Sequence, residues 1–94
     1  MSVYSIWESR FSAGSVEEGV AVTKAIWRDM LSFDGYLEHQ LIEDLDEPGH
    51  LLVVSRWSSR EAADAALSYR SHQNAQRVSE LVSEPRRRTL GASV

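Results

Sequence analysis

Apolar and polar residues alternate from Val3 to Phe11, with Val3, Trp7 and Phe11 on one side and Tyr4, Ile6, Glu8 and Arg10 on the other. A period of two predicts a first β-strand. Ser12-Ala13-Gly14-Ser15 forms a turn, in which Ser15 stands where a helix cap is wanted, and Glu17 and Glu18 follow where the helix dipole favours anions. The period then changes to the helical one. Val16, Val20, Trp27, Met30 and Leu31 make the apolar stripe of a first helix, with Lys24, Arg28 and Asp29 mostly elsewhere and Gly35 as its stop.

Two further strand-like segments, Tyr36 to Leu45 and Leu51 to Trp57, flank Asp46-Glu47-Pro48-Gly49-His50. Pro48 and Gly49 suit the central positions of a type II turn, so the pair reads as a β-hairpin. Ser58-Ser59-Arg60-Glu61 has capping-box spacing, and the alanine-rich stretch Glu61 to Leu67 begins a second helix. Tyr69-Arg70-Ser71 interrupts it. Helical spacing resumes from His72 to Val82 through Ala75, Val78, Leu81 and Val82, and Pro85 ends it. Arg86 to Val94, with Arg88, Leu90, Ala92 and Val94 alternating, reads as a closing strand.

The order β-α-β-β-α-β, with a broken second helix, predicts an α+β ferredoxin-like domain with helices on one face of a four-stranded antiparallel sheet. Leu51-Leu52-Val53-Val54 is apolar at consecutive positions, so both faces of that strand call for cover. Helices can roof only one of them. A second copy, sheet against sheet, is the simplest cover for the other, and a homodimer is expected.

At 94 residues, the chain is long enough for one domain and far short of the roughly 250 at which cores split. Lys and Arg number 10 against 14 Asp and Glu, a net charge of −4, which argues against binding a phosphate backbone and so against nucleic acid. The lack of cysteine excludes disulfides, thiolate catalysis, zinc ribbons and iron–sulfur clusters. No stretch approaches the roughly 20 apolar residues of a membrane helix, and Met1 to Ser9 lacks a signal-peptide pattern, which points to a soluble, cytoplasmic protein without a membrane partner.

Four segments carry a family likeness: Phe33-Asp34-Gly35-Tyr36, Pro48-Gly49, Arg56-Trp57-Ser58-Ser59-Arg60-Glu61-Ala62 and Tyr69-Arg70-Ser71-His72. In these the chain resembles the antibiotic biosynthesis monooxygenase family, over nearly its whole length. The resemblance implies a dimeric α+β barrel. It also implies a choice among cofactor-free oxygenation of aromatic polyketides or quinols, haem degradation and isomerisation of small molecules. The haem-degrading branch looks to need an Asn on the first strand, a Trp in the second helix and a His beyond it. Trp7, Ala66 and Gln76 stand at those places, so haem is not expected.

A cofactor-free oxygenase needs an apolar pocket, a base and donors for an oxyanion. Trp7, Phe11, Val53 and Trp57 share one parity in their strands and Trp27 lies on the first helix's stripe, so Trp7, Trp27, Trp57 and Phe11 are the candidate walls of an aromatic-binding pocket. The equally open alternative is that they are plain core. His39 and His72 are the candidate bases, while His50, just after the turn, is expected in solvent. His39 shares its strand face with Leu37 and Leu41, and it points either into the cavity or at the dimer interface. Tyr69 and Arg70, at the helix break, could lean over a cavity mouth, with Arg70 holding an oxyanion.

Glu8, Arg10 and Arg56 are expected to form ion pairs across strands or subunits. Arg86-Arg87-Arg88 is read as charge guarding a strand edge. Lys24, the one lysine, does not suggest Schiff-base chemistry, and no His and carboxylate spacing suggests a metal. The leading expectation is a cofactor-independent monooxygenase that brings a small aromatic molecule to dioxygen. The alternatives are a non-catalytic ligand-binding or accessory barrel, and an isomerase of a small oxygenated metabolite.

Overall fold

The computed structural model describes residues 2–94. Its elements run β1 (Val3–Arg10), α1 (Val16–Met30), β2 (Tyr36–Glu43), β3 (His50–Trp57), α2 (Arg60–Ala65), a 3-10 segment (Ala66–Ser71), α3 (Gln73–Leu81) and β4 (Arg87–Ala92). The four strands form one antiparallel sheet in the order β2-β3-β1-β4, which is the ferredoxin-like arrangement.

Strand alternation sorts the sheet's residues as the sequence predicts. Val3, Ser5 and Ser9 of β1 and Leu51, Val53, Ser55 and Trp57 of β3 are buried beneath the helices. Ile26, Trp27 and Met30 of α1, Ala63 of α2, and Ala75, Val78 and Leu81 of α3 close the core from above. Each such large apolar side chain contributes about 1.5–3 kcal/mol on full burial. Arg77 of α3 makes a two-pronged contact with Glu18 of α1, at 2.7 and 2.9 Å, tying the two helices on their solvent side.

Several boundaries differ from expectation for identifiable reasons. β1 ends at Arg10, and Phe11 makes only an isolated bridge to Val82, because the chain beyond α3 returns to meet it. α1 stops at Met30, leaving Leu31 past its end and 57% exposed rather than on the stripe. Gly35 therefore does not stop the helix. It has φ +82° in the turn into β2, where a Cβ would fall 2.4 Å from that of Ala62. Ser15 occupies the cap position without a side-chain cap bond. Ser59, rather than Ser58, caps α2, accepting from the Ala62 amide at 3.1 Å. Gly49, at φ +86°, and the His50 amide donating to the Glu47 carbonyl at 3.2 Å confirm the hairpin turn.

Candidate functional site

The covered face of the sheet carries serines where an ordinary core would place large apolar residues. Ser5, Ser9 and Ser55 are buried beneath the helices, and Ser5 and Ser55 are directly paired. Ser5 and Ser9 line a cavity of about 70 Å³. Trp7, Trp27, Trp57, Val53 and Tyr69 supply its apolar walls, and Thr23, Arg70 and Arg86 add polar groups. This volume is well below the roughly 300 Å³ at which ordinary ligand pockets begin.

Trp57 is fixed from below: its indole Nε1–H donates to Ser55 Oγ at 2.9 Å, and that hydroxyl donates to the Ser5 carbonyl at 3.1 Å. Tyr69 is held from above. Its hydroxyl donates to Asp29 at 2.5 Å and accepts from Asn74 at 3.4 Å, and burial, followed by the Asp29 contact, raises its pKa. Arg70 is exposed and borders the cavity from the 3-10 segment.

Arg86 departs from expectation. Rather than guarding an edge in solvent, it is half-buried and lies over the Trp7 ring, 5.2 Å from its centroid, bordering the cavity. Burial pushes its pKa down. Arg88 also turns to the helix side and pairs with Asp64 at 3.0 Å, with its Nε buried and unpartnered. Only Arg87 of the three is exposed. Nothing in the local sequence separates these roles, because they depend on how β4 lies beside β1.

None of the three histidines borders the cavity. His39 faces the helix side, with its ring 5.2 Å from that of Trp27, and Tyr36 Oη lies 2.5 Å from its Nδ1. Burial lowers its pKa, and burial followed by the Glu38 charge raises that of Tyr36; the pair therefore has a neutral imidazole accepting from a protonated phenol. A bulge between Tyr36 and Glu38 shifts the register. His39 consequently shares its face with Tyr36 and Leu41, and Leu37 is the extra residue. His72 is an exposed cap. It accepts from the Asn74 amide at 3.1 Å and stacks on Tyr69 at 4.5 Å.

His50 was expected in solvent and is only 9% exposed. Its Nδ1 lies 2.8 Å from Asp44 and its Nε2 3.0 Å from Glu8. Two carboxylate partners require a hydrogen on both nitrogens, so the ring is an imidazolium. The Asp44 bond is the main cause of its raised pKa and, in return, of the lowered pKa of Asp44. Sequence spacing could not show this, since Glu8 is 42 positions away. Asp44, Glu47 and His50 bring potential ligand atoms within 4.8 Å of one another, a grouping not expected from the sequence. With both His50 nitrogens engaged, the ring has no lone pair to offer a metal.

Phe11 lies away from the tryptophans. It packs against Gly19, where a Cβ would fall 2.4 Å from the ring, and it borders a separate pocket of about 230 Å³ with Val16, Val20 and Pro48. The helix-free face of the sheet carries Ile6, Leu52 and Val54, none of them fully buried, with Ile42 exposed beside them. Arg10 pairs with Glu47 and Arg56 with Glu38, each at 2.8 Å, so these expected ion pairs close across the sheet within one chain.

A four-stranded antiparallel sheet roofed by helices, with an aromatic-lined cavity between the layers, defines an α+β domain of the ferredoxin-like class. The profile of the family described as "Antibiotic biosynthesis monooxygenase" matches residues 2–78, and the chain belongs to that family. No curated protein sequence matches it. Among solved structures it is similar to Rv0793 from Mycobacterium tuberculosis, at 23% identity and TM-score 0.86, covering 100% of this chain and 96% of that one. It is also similar to SnoaB, a cofactor-independent oxygenase from Streptomyces nogalater, at 16% identity and TM-score 0.87, covering 99% and 93%. A conserved protein from Methanosarcina mazei Go1 matches at 13% identity and TM-score 0.87, covering 97% and 91%. At these identities the likeness establishes the fold. Among the described residues, no helix is long and apolar enough to cross a membrane.

Proposed function

We propose that this chain is a cofactor-independent monooxygenase of an aromatic or quinol-like small molecule, working as a homodimer in the cytoplasm. The observation that carries this reading is the covered face, where Trp7, Trp27, Trp57 and Tyr69 surround one cavity whose polar groups include Arg70 and Arg86. Membership of a monooxygenase family and the fold shared with SnoaB support it.

In this reading a phenol or enol lies among the tryptophans, and the guanidinium groups of Arg70 and Arg86 favour its anion. The anion reduces dioxygen and a carbon–oxygen bond forms. One oxygen atom stays on the substrate as a carbonyl; the other leaves as water, with the hydrogen of the oxidised carbon and the proton released when the anion formed. No reductant is needed. Of the two candidate bases, His39 is the better placed in this reading, because it faces the helix side with its ring 5.2 Å from that of Trp27, a wall of the cavity, whereas His72 is exposed. The helix-free face, with Ile6, Leu52 and Val54, is the surface that a second copy covers.

The small cavity volume favours a second reading, a non-catalytic ligand-binding or accessory barrel whose interior is largely filled by its own side chains. An oxygen electrode with a panel of dihydroxyaromatics separates the two. The oxygenase reading expects one dioxygen consumed per product formed; a compound that binds without oxygen uptake rejects it. Proton exchange into deuterated solvent without uptake would mark an isomerase instead.

A further inference from the structure

Trp7 and Arg86 border two spaces at once. Inward they line the cavity of about 70 Å³, and outward they line an open groove of about 510 Å³ with Ser79, Val82, Ser83, Glu84 and Pro85. A partition one residue pair thick therefore stands between the two spaces: with the pair in place the cavity is too small for an aromatic ligand, and the groove is large enough for one.

The electrostatics of that partition are incomplete. Arg10, Arg56, Arg60, Arg77 and Arg88 all have carboxylate partners. Among the described residues Arg86 has none: its hydrogen bond is a long one to Ser79 Oγ at 3.5 Å, and the face of Trp7 takes the place of a counter-ion. Glu84, the acid of the groove, is engaged by Arg10 at 3.4 Å. A half-buried cation without an anion is poorly solvated, as its lowered pKa reflects, and it gains most from an arriving negative charge. Arg86 precedes β4 and takes no part in a strand ladder, whereas the Trp7 backbone is paired on both sides, to Val53 and Arg88.

We propose that the Trp7–Arg86 pair is a gate between groove and cavity, and that it is opened by an aromatic anion. The ligand's carboxylate or oxyanion takes the guanidinium, which leaves the indole face, and the aromatic ring follows into the space among the tryptophans. This rests on reading the cavity as a ligand site, and it narrows the ligands to aromatics with a negative charge next to the ring.

The test compares binding of 1-naphthoate and neutral 1-naphthamide to the wild-type chain, Arg86→Met and Arg86→Lys, followed by stopped-flow tryptophan fluorescence, with circular dichroism to establish that each variant is folded. The wild type is expected to prefer naphthoate by about tenfold or more, in line with the strength of charge-assisted hydrogen bonds. Arg86→Met should lose that preference while associating faster with naphthamide, because the stacked cover is gone. Arg86→Lys should keep part of the preference. Equal wild-type affinities, a preference that survives in Arg86→Met, unchanged naphthamide association in that variant, or no binding of either compound would each overturn the gate. Oxygen uptake is not a readout here, so an anion-selective gate in a protein that consumes no oxygen would sink the oxygenase reading alone.

Discussion

The two faces of the sheet are built on opposite plans. The face beneath the helices is dry and mixes very large with very small side chains: Trp57 is almost fully buried, and Ser55, two positions before it, is 1% exposed. The helix-free face carries medium-sized aliphatic residues between ion pairs closed within the chain. A face meant only to pack would not place Ser5, Ser9 and Ser55 under a helical roof. A face meant only for water would not present Ile6, Leu52, Val54 and Ile42 together. The first leaves a space beneath the helices, and the second leaves an aliphatic patch, the surface on which the proposed homodimer rests.

The largest expected effect lies on the covered face. Trp57→Ala removes a buried indole and the N–H that donates to the Ser55 hydroxyl, and should cost about 3–5 kcal/mol in urea unfolding. Next is the helix-free face. Val54→Asp, opposite Ile6, should weaken the proposed dimer roughly 100-fold in sedimentation velocity by burying a charge without a partner, while leaving far-UV circular dichroism unchanged. A third substitution separates space from packing. Ser5→Val should alter stability by no more than about 1 kcal/mol yet weaken aromatic binding about tenfold by filling the cavity floor.

The histidines sharpen the contrast through pH. His50, on the helix-free face, has a raised folded pKa, so its stabilisation is fully present below about pH 6.5 and is lost as pH rises through the folded value. His39, on the covered face, has a lowered one, so its neutral ring fits best above about pH 6.5 and the fold weakens as pH falls towards the folded value. Unfolding free energies of His50→Gln and His39→Gln relative to wild type, measured across this range, should therefore change in opposite directions. The smallest effect is His72→Ala. Loss of an α3 cap should cost about 1 kcal/mol, with oxygen uptake on any accepted substrate left unchanged.

Alternation and turn chemistry made the element order legible, and Leu51-Leu52-Val53-Val54 made the two-sided nature of β3 legible. These are local patterns. What was hidden depends on pairing between distant segments. His50 looks like a turn residue until β1 brings Glu8 beside it, and Arg86 looks like its neighbours until β4 lies along β1 and sets it over Trp7. The bulge at Leu37 turned a correct strand into a wrong partner for His39, because one extra residue reverses the parity on which the face assignment rested. Phe11 was grouped with the tryptophans by strand parity and His72 was a candidate base as a histidine outside the hairpin turn; neither borders the cavity, because β1 ends before Phe11 and His72 caps α3 in solvent.

The central claim is that the space under the helices receives an aromatic ligand. It is tested most directly by following the three indole N–H resonances of Trp7, Trp27 and Trp57 by NMR during titration with a dihydroxynaphthalene. The account predicts that all three move together and saturate at one ligand per chain. Indole resonances that stay in place at millimolar ligand, while surface amides shift, would contradict it.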